Sequence, residues 1–169
     1  MVMETGNLMV DAETAFAREQ RRRRRERATS WLMRRPACGR RLVSLEDALE
    51  EGPAAVRRAA GLHSIPLDSI VGTAEAAKAH VFDRRFRPSS SSRRRWQGLW
   101  MAGRQGAPLP PISVYRLGDS HFVRDGHHRV SVAHSLGMSA IDAEVTELAA
   151  RPAPTPSQAV PAPPRTGTA

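Results

Sequence analysis

Apolar and polar side chains alternate in the middle of the second half of the chain, and this period of two predicts a β-hairpin. In the run ISVYRL, Ile112, Val114 and Arg116 share one face, and the residues between them share the other. A Gly-Asp turn follows at 118–119, and the strand HFVR returns over 121–124.

Spacings of three and four residues predict two helices, one before this hairpin and one after it. In the first, over 93–104, one face carries Trp96, Leu99, Trp100 and Gly103. The second begins near Gly126 and ends at Gly137, because glycine suits the left-handed conformation that often closes a helix. A last alternating strand is predicted over 140–145.

The first half of the chain is more polar and predicts shorter elements. Residues 11–33 lack Pro and Gly and are rich in Ala, Glu, Arg and Gln, which favours a helix. Capping patterns predict two short helices, over 44–49 and 53–60. The run HSIPLDSIVGT at 63–73 predicts a strand followed by a turn or a short helix, and VFDRRFRP at 81–88 predicts a loop.

These elements predict an α/β fold, or α+β in the stricter sense, in which helices pack around a small mixed sheet. Its strands lie near Ile65, Val114, Phe122 and Ala143. At 169 residues the chain suits one domain with tails. We predict an Arg-rich helical arm over 1–61, the domain over 62–148, and a disordered tail over 151–169, where six of nineteen residues are Pro.

The formal net charge of +9 is concentrated near the start of the chain. Residues 18–41 contain eleven Arg and two Glu, so this window carries the whole excess. Its centre is a run of five arginines, Arg21, Arg22, Arg23, Arg24 and Arg25. Such density favours non-specific binding of nucleic acid or another polyanion about as much as it favours a solvated or disordered arm. For the triplet at 93–95, beside two Trp, a solvated face is the favoured interpretation.

The cysteine content and the hydropathy of the chain indicate which cellular compartment it suits. Cys38 is the single cysteine, which excludes an internal disulfide and predicts an inert thiol. No apolar run approaches the roughly 20 residues that span a bilayer. We therefore expect a cytoplasmic protein with no membrane partner.

The residue types that suggest chemistry concentrate in VRDGHHRVSVA, at 123–133. A strand that enters a tight turn and opens a helix directs free backbone N–H groups and the positive helix end to one point, which attracts anions. Gly126 allows a ligand to approach the backbone, and Arg129 can grip two phosphate oxygens. His127 and His128 add further donors.

Two other interpretations of the same residues stay open. Asp125 can act only as a helix cap, with Arg129 and both histidines solvated. A metal site built from His121, His127, His128 and His134 is a weaker alternative. Adjacent His side chains diverge, and no second carboxylate cluster supports them, so no metal ligand is predicted.

Residues 62–148 resemble the ParB N-terminal-like family, which shares its fold with sulfiredoxin and with a free-serine kinase branch. The resemblance rests on four runs in this order: IPLDSIVGT, FDRRFRP, LPPISVYRLGD and FVRDGHHRVSVAHSLG. It covers a little over half of the chain. The chain looks like a stand-alone, actinobacterial-type member that carries a DGHHR motif, and the resemblance implies a ParB/sulfiredoxin-like fold.

The family's motifs transfer only in part. Partition proteins bind the triphosphate of CTP with a GERRxRA motif. Here Gly126, His127, His128 and Arg129 align with GERR, and Ser131 replaces the next Arg, which weakens the case for CTP. Sulfiredoxin has a catalytic Cys in a GCHR turn, but the matching residue here is His127. The resemblance therefore does not imply repair of sulfinic acids.

The resemblance and the turn together imply a nucleotide- or phosphate-binding module, regulatory in role and associated with nucleic acid through its arm. Its ligand would be a phosphorylated small molecule or a nucleoside triphosphate with Mg²⁺. An alternative is a metal-dependent small-molecule kinase, nuclease or slow nucleotide hydrolase, in which Asp125 serves as metal ligand or general base. A third is an inactive fold used for protein contacts. A helix-turn-helix is not expected, because only the Pro-rich tail follows the last strand.

Overall fold

A computed structural model describes residues 6–33, 41–49 and 56–149. The expectations for Cys38 and for the tail over 151–169 lie outside the described residues.

Six strands form one mixed sheet that is flanked by helices. The helices are α1 (Leu8–Leu32), α2 (Leu45–Leu49), α3 (Arg93–Arg104) and α4 (His127–Leu136). The strands are β1 (Val43–Ser44), β2 (Val56–Pro66), β3 (Ile70–Thr73), β4 (Ile112–Leu117), β5 (Ser120–Asp125) and β6 (Ala140–Ala149). Their order in the sheet is β1-β3-β5-β4-β6-β2. The β2–β6 and β4–β5 pairs are antiparallel and the others are parallel, which confirms the predicted α/β class with a mixed sheet.

The elements with strong local patterns form where they are predicted. α3 has the predicted bounds, and β4 and β5 form the predicted hairpin. α4 ends at Gly137 in the left-handed conformation, with φ of 73°. At the start of α2, the side chain of Ser44 accepts a hydrogen bond from the N–H of Glu46 at 3.3 Å. Local periodicity and capping signals were therefore sufficient to predict the structure of these segments.

The predicted helix over 53–60 is wrong within the described residues. A strand, β2, begins at Val56 and pairs antiparallel with β6, so that Arg57 lies opposite Leu148 and Ile65 opposite Ile141. Pairing with a strand some 80 residues away outweighs the local preference of a stretch rich in Arg and Ala. The predicted boundary between 61 and 62 falls inside this strand.

The apolar core has one part around the sheet and another between helices. The sheet part contains Ile65, Ile70, Ile112, Val114, Val123 and Val130. The helical part contains Ala12, Ala15, Phe16, Trp96, Trp100 and Val132, from α1, α3 and α4. Phe16 is fully buried, and its ring meets that of Trp96 edge-on at 5.5 Å. α1 is therefore built into the core.

Polar contacts also hold α1 to the segment over 80–88. The guanidinium of Arg23 is buried and donates to the backbone carbonyls of Val81 at 2.8 Å and His80 at 3.3 Å. Glu26 forms ion pairs with Arg84, at 3.0 Å, and with Arg87. The alternative of a disordered arm is wrong for α1, because three apolar residues at helical spacing dock it onto α3. The alternative of a solvated helix fits four arginines of the run, whereas Arg23 is buried. Within the described part of the chain, every helix is too short or too polar to cross a bilayer.

Candidate phosphate-binding site

A cleft of about 170 Å³ lies at the amino-terminal end of α4. Its walls come from the turn that precedes α4, from the start of α3 and from the segment after β3. The residues are Glu75, Lys78, Arg95, Leu99, Asp125, Gly126, His127, His128 and Arg129. The predicted site residues from Asp125 to Arg129 thus lie together around one concave surface.

Gly126 makes the sharp change from β5 into α4. Its φ of 104° lies in the left-handed region that residues with a Cβ rarely adopt. A Cβ here would overlap the Cγ2 of Ile112 and lie 2.8 Å from the Cβ of Ile112. The turn and the packing of β4 against it therefore both require glycine.

Arg129 bridges three groups at the mouth of this turn. Its Nη1 donates to the carbonyl of Pro110 at 2.6 Å and to that of Pro111, and its Nη2 lies 2.5 Å from Oδ2 of Asp125. The arginine side chain is largely buried, whereas the Asp125 side chain is 69% exposed. α4 is capped by Gly126 with no side-chain acceptor. The interpretation of Asp125 as a helix cap beside a solvated Arg129 is therefore wrong.

The two histidines of the turn pack against the loop over 81–88. His127 is buried, and its Nε2 lies 2.7 Å from the hydroxyl of Thr73. The ring of Phe82 stacks on His127, with centroids 5.8 Å apart, and meets His128 edge-on at 5.1 Å. Burial, then the nearby charge of Lys78, lowers the pKa of His127 to about 4. Burial, then the charge of Arg95, lowers the pKa of His128 to about 4. Both imidazoles are thus neutral at pH 7.

The neutral state of His127 predicts a loss of stability in mild acid. The unfolded chain takes up this proton near pH 6.5, whereas the folded protein takes it up near pH 4. The unfolded state therefore binds more protons between these values, and the free energy of unfolding falls as the pH drops from 6.5 to 4. For the buried His127 the loss is of the order of 3 kcal/mol, with His128 acting in the same direction. Urea unfolding at a series of pH values measures it.

A phenylalanine variant isolates the contribution of His127. His127→Phe keeps an aromatic ring against Phe82 but cannot be protonated, so its stability should vary less steeply with pH than that of the parent protein. His63→Phe, on the exposed face of β2, is the matched control. If His127→Phe and the parent had equally steep profiles, His127 would not be the source of the acid sensitivity.

Lys78, Arg95 and Glu75 line the cleft but were not predicted as site residues. Arg95 belongs to the Arg triplet, whose members have different roles here: Arg93 pairs with Glu13 at 3.1 Å, while Arg95 faces the turn. The Arg triplet was the only sequence feature that could have pointed to Arg95 as a site residue. Which arginine reaches the turn depends on how α3 packs on α4, which the sequence does not reveal.

The other predicted functional residues are distributed differently. The arginine run on α1 does not line the cleft. Four of its members are exposed, Arg21, Arg22, Arg24 and Arg25, whereas Arg23 is buried. Ser131 is buried and accepts a hydrogen bond from Nε1 of Trp96 at 2.8 Å. The position that carries a second Arg in partition proteins thus serves the core in this chain.

The histidines considered as metal ligands have separate surroundings. His121 lies 2.9 Å from the hydroxyl of Ser69, and the ring of His134 stacks on Phe86 at 6.3 Å. In the ranges that the structure describes, no group of three or more His, Cys, Asp or Glu residues could hold a metal ion.

Comparisons with known proteins find similarity to a solved structure. No family model matches the chain, and no curated protein matches it. The chain is similar to the crystal structure of sulfiredoxin from Arabidopsis thaliana, with a TM-score of 0.38 and 19% sequence identity. The match covers 50% of this chain and 82% of that one.

Proposed function

We propose that this chain is a regulatory module that binds a nucleotide or another phosphorylated ligand at the turn before α4. The observation that carries the proposal is the convergence of Lys78 and Arg95, from two distant segments, on the glycine turn at Gly126. Two neutral histidines complete the wall, and the three cationic side chains of the lining outnumber its two carboxylates, those of Glu75 and Asp125. The similarity of the DGHHR run to the phosphate-binding turn of ParB-like proteins supports the same assignment.

The backbone contributes to this site as well as the side chains. The first intrahelical bond of α4 runs from the N–H of Val130 to the carbonyl of Gly126, at 3.0 Å. The N–H groups of residues 127–129 precede that bond and point toward the helix end, where the helix dipole is positive. Because Gly126 has no side chain, an anion can approach them closely.

Arg129 would take part by exchanging partners. Its guanidinium contacts Asp125 and the carbonyls of Pro110 and Pro111. An incoming phosphate would compete with the exposed Asp125 carboxylate for Nη2. Asp125, released in this way, and Glu75 both line this cleft. One or two carboxylates together with ligand phosphates are the usual surroundings of Mg²⁺, so these residues fit a metal ion that arrives with a nucleoside triphosphate.

The presence of two carboxylates, Asp125 and Glu75, in the lining also favours a second candidate function. A carboxylate beside a bound phosphate and Mg²⁺ can orient or deprotonate an attacking hydroxyl or water. A metal-dependent small-molecule kinase, nuclease or slow nucleotide hydrolase is therefore the alternative to a binding module. Binding without turnover supports the module, and phosphate release or transfer supports the enzyme.

Thermal unfolding with each nucleoside triphosphate and Mg²⁺ tests the site. A ligand present at 100 times its Kd stabilises the folded state by about 2.7 kcal/mol, which raises Tm by about 8 °C in a protein of this size. The variant Lys78→Gln/Arg95→Gln should lose most of this shift, because it removes two cations without touching the turn. Free phosphate measured in the same samples separates binding from hydrolysis.

Arg94→Gln is the matched control for charge. It removes a cation next to Arg95 on α3 but outside the lining of the cleft, so the shift should persist. An undiminished shift in Lys78→Gln/Arg95→Gln would place the ligand elsewhere. If no nucleotide or phosphate compound changed Tm, the inactive fold would be favoured instead.

We also propose that α1 associates with nucleic acid without sequence specificity. Its exposed arginines at 21, 22, 24 and 25 can neutralise backbone phosphates, which makes such binding strongly salt-dependent. Arg23 is not part of this surface, because its side chain holds the segment over 80–88.

A further inference from the structure

A second and larger concavity lies beside the carboxyl-terminal half of α1, and one of its lining residues, Phe82, also packs on the histidines of the α4 turn. It measures about 490 Å³ and is lined by Arg27 and Trp31 of α1, by Arg41, and by His80, Phe82 and Asp83 of the facing loop. We call it the α1 groove. None of these residues lines the candidate phosphate-binding cleft.

Trp31 is the unusual member of the α1 groove. Its side chain is 78% exposed, whereas Trp96 and Trp100 are 0% and 8% exposed. Burial of a tryptophan is strongly favourable, so an exposed one beside concave basic surface marks a candidate contact site. Arg27 is exposed one turn before Trp31, and Arg41 is exposed on the opposite wall. An aromatic face flanked by arginines is the combination on which unstacked bases bind.

We propose that the α1 groove binds single-stranded nucleic acid, with Trp31 stacking on a base while Arg27 and Arg41 contact backbone phosphates. This inference rests on the proposed association of α1 with nucleic acid and adds the kind of strand and the contact that selects it. Every base offers a π-face, so the site has no sequence preference.

The shape of the groove favours a single strand over a duplex. In a duplex the bases are stacked on each other, and only the phosphates on its outside would reach α1. The exposed arginines at 21, 24 and 25 could contact those phosphates without any aromatic residue. A flexible single strand, by contrast, can enter a concavity and present a base to Trp31.

The packing of α1 argues against a membrane surface as the partner. A helix that lies in a membrane needs a free apolar face along its length. The apolar face of α1 with Ala12, Ala15 and Phe16 is buried against α3 and α4, and Trp31, Leu32 and Met33 expose apolar surface only at its carboxyl-terminal end. The carboxylates of Glu26 and Asp83 also line the α1 groove, but they form ion pairs with Arg84 and Arg87, which offsets their repulsion of a phosphate.

Tryptophan fluorescence of the full chain reports directly on this contact. The chain has three Trp, and the other two are buried, so a soluble ligand that stacks can quench only Trp31. At low salt, an oligothymidylate of about ten nucleotides should quench the emission. A duplex of equal length and inorganic polyphosphate should leave it nearly unchanged.

Substitutions at Trp31 separate stacking from charge. Trp31→Ala should weaken oligothymidylate binding, measured by anisotropy of a labelled strand, by about tenfold or more, and Trp31→Phe should restore most of it. Duplex binding should be unaffected by either change. Arg27→Gln/Arg41→Gln should lower the salt dependence of single-strand binding by roughly one phosphate contact per arginine.

The possible results distinguish failure of this inference from failure of the broader proposal. If the chain bound no nucleic acid at low salt, both would fall. Equal, salt-dependent binding of single and double strands, without quenching and unchanged in Trp31→Ala, would overturn the inference and leave the association in place. A blue-shifted emission with anionic vesicles, and no response to oligothymidylate, would overturn it in favour of a lipid surface.

Discussion

Replacing Phe16 with alanine is expected to lower the free energy of unfolding by about 3–5 kcal/mol, as is typical for a fully buried aromatic side chain. The ring has no exposed surface and packs edge-on against Trp96. The guanidinium of Arg93 lies over the same ring, 5.5 Å from its centre. Its removal leaves a cavity between α1 and α3. Urea unfolding monitored by circular dichroism measures the loss.

Trp31→Ala is the matched control for this experiment. It makes an aromatic-to-alanine change on the same helix, at a side chain that is 78% exposed, so stability should change little. A loss below 1 kcal/mol in Phe16→Ala would mean that α1 is a detachable arm after all. A loss confined to Phe16→Ala would establish α1 as part of the domain.

The second large effect is expected at the turn that forms the candidate site. Gly126→Ala places a Cβ where φ is 104° and where the side chain of Ile112 already lies. Backbone strain alone costs about 1–3 kcal/mol, and overlap with Ile112 adds about 1–3 kcal/mol more. The turn must shift to relieve the overlap, so the nucleotide-induced rise in Tm should disappear together with this stability.

A second glycine separates strain from overlap. Gly118, in the hairpin turn, also has positive φ, of 59°, but an added Cβ there meets no atom within 4 Å. Gly118→Ala should therefore cost only the strain and should keep the response to nucleotide. If Gly126→Ala retained a full response, close approach to this backbone would not be required for binding.

Sequence patterns predicted the segments whose structure is decided locally. The hairpin, α3 and α4 each repeat their periodicity over several residues, and glycines mark where they end. The first part of β2, over 56–60, was missed because Arg57, Arg58, Ala59 and Ala60 favour a helix locally, whereas the strand near Ile65 was predicted. Their partner strand β6 lies about 80 residues further along the chain. The pairing, in which Leu62 lies opposite Glu144, is therefore known only from the folded sheet.

Only the part of the candidate site that is contiguous in the sequence was predicted. The contiguous run over 125–129 could be identified because strand, turn and helix follow one another directly. Lys78 and Arg95 could not be assigned, since they reach the cleft through the packing of separate segments. The partners of Arg129 were equally hidden, because Pro110 and Pro111 meet it only when β4 lies against α4. The docking of α1 depended on Ala12, Ala15 and Phe16, whose short apolar pattern is dominated in the sequence by the neighbouring arginines.

The docking of α1 changes how its charge can be studied. Deleting the basic segment up to residue 40 would remove ten of the eleven arginines in the basic window over 18–41, but it would also uncover Trp96, Trp100 and Val132. A contiguous apolar patch in water promotes self-association, and aggregates with a net positive charge bind nucleic acid indiscriminately. A shortened chain would therefore report on an opened core. The arginines of α1 are better neutralised one at a time in the intact protein.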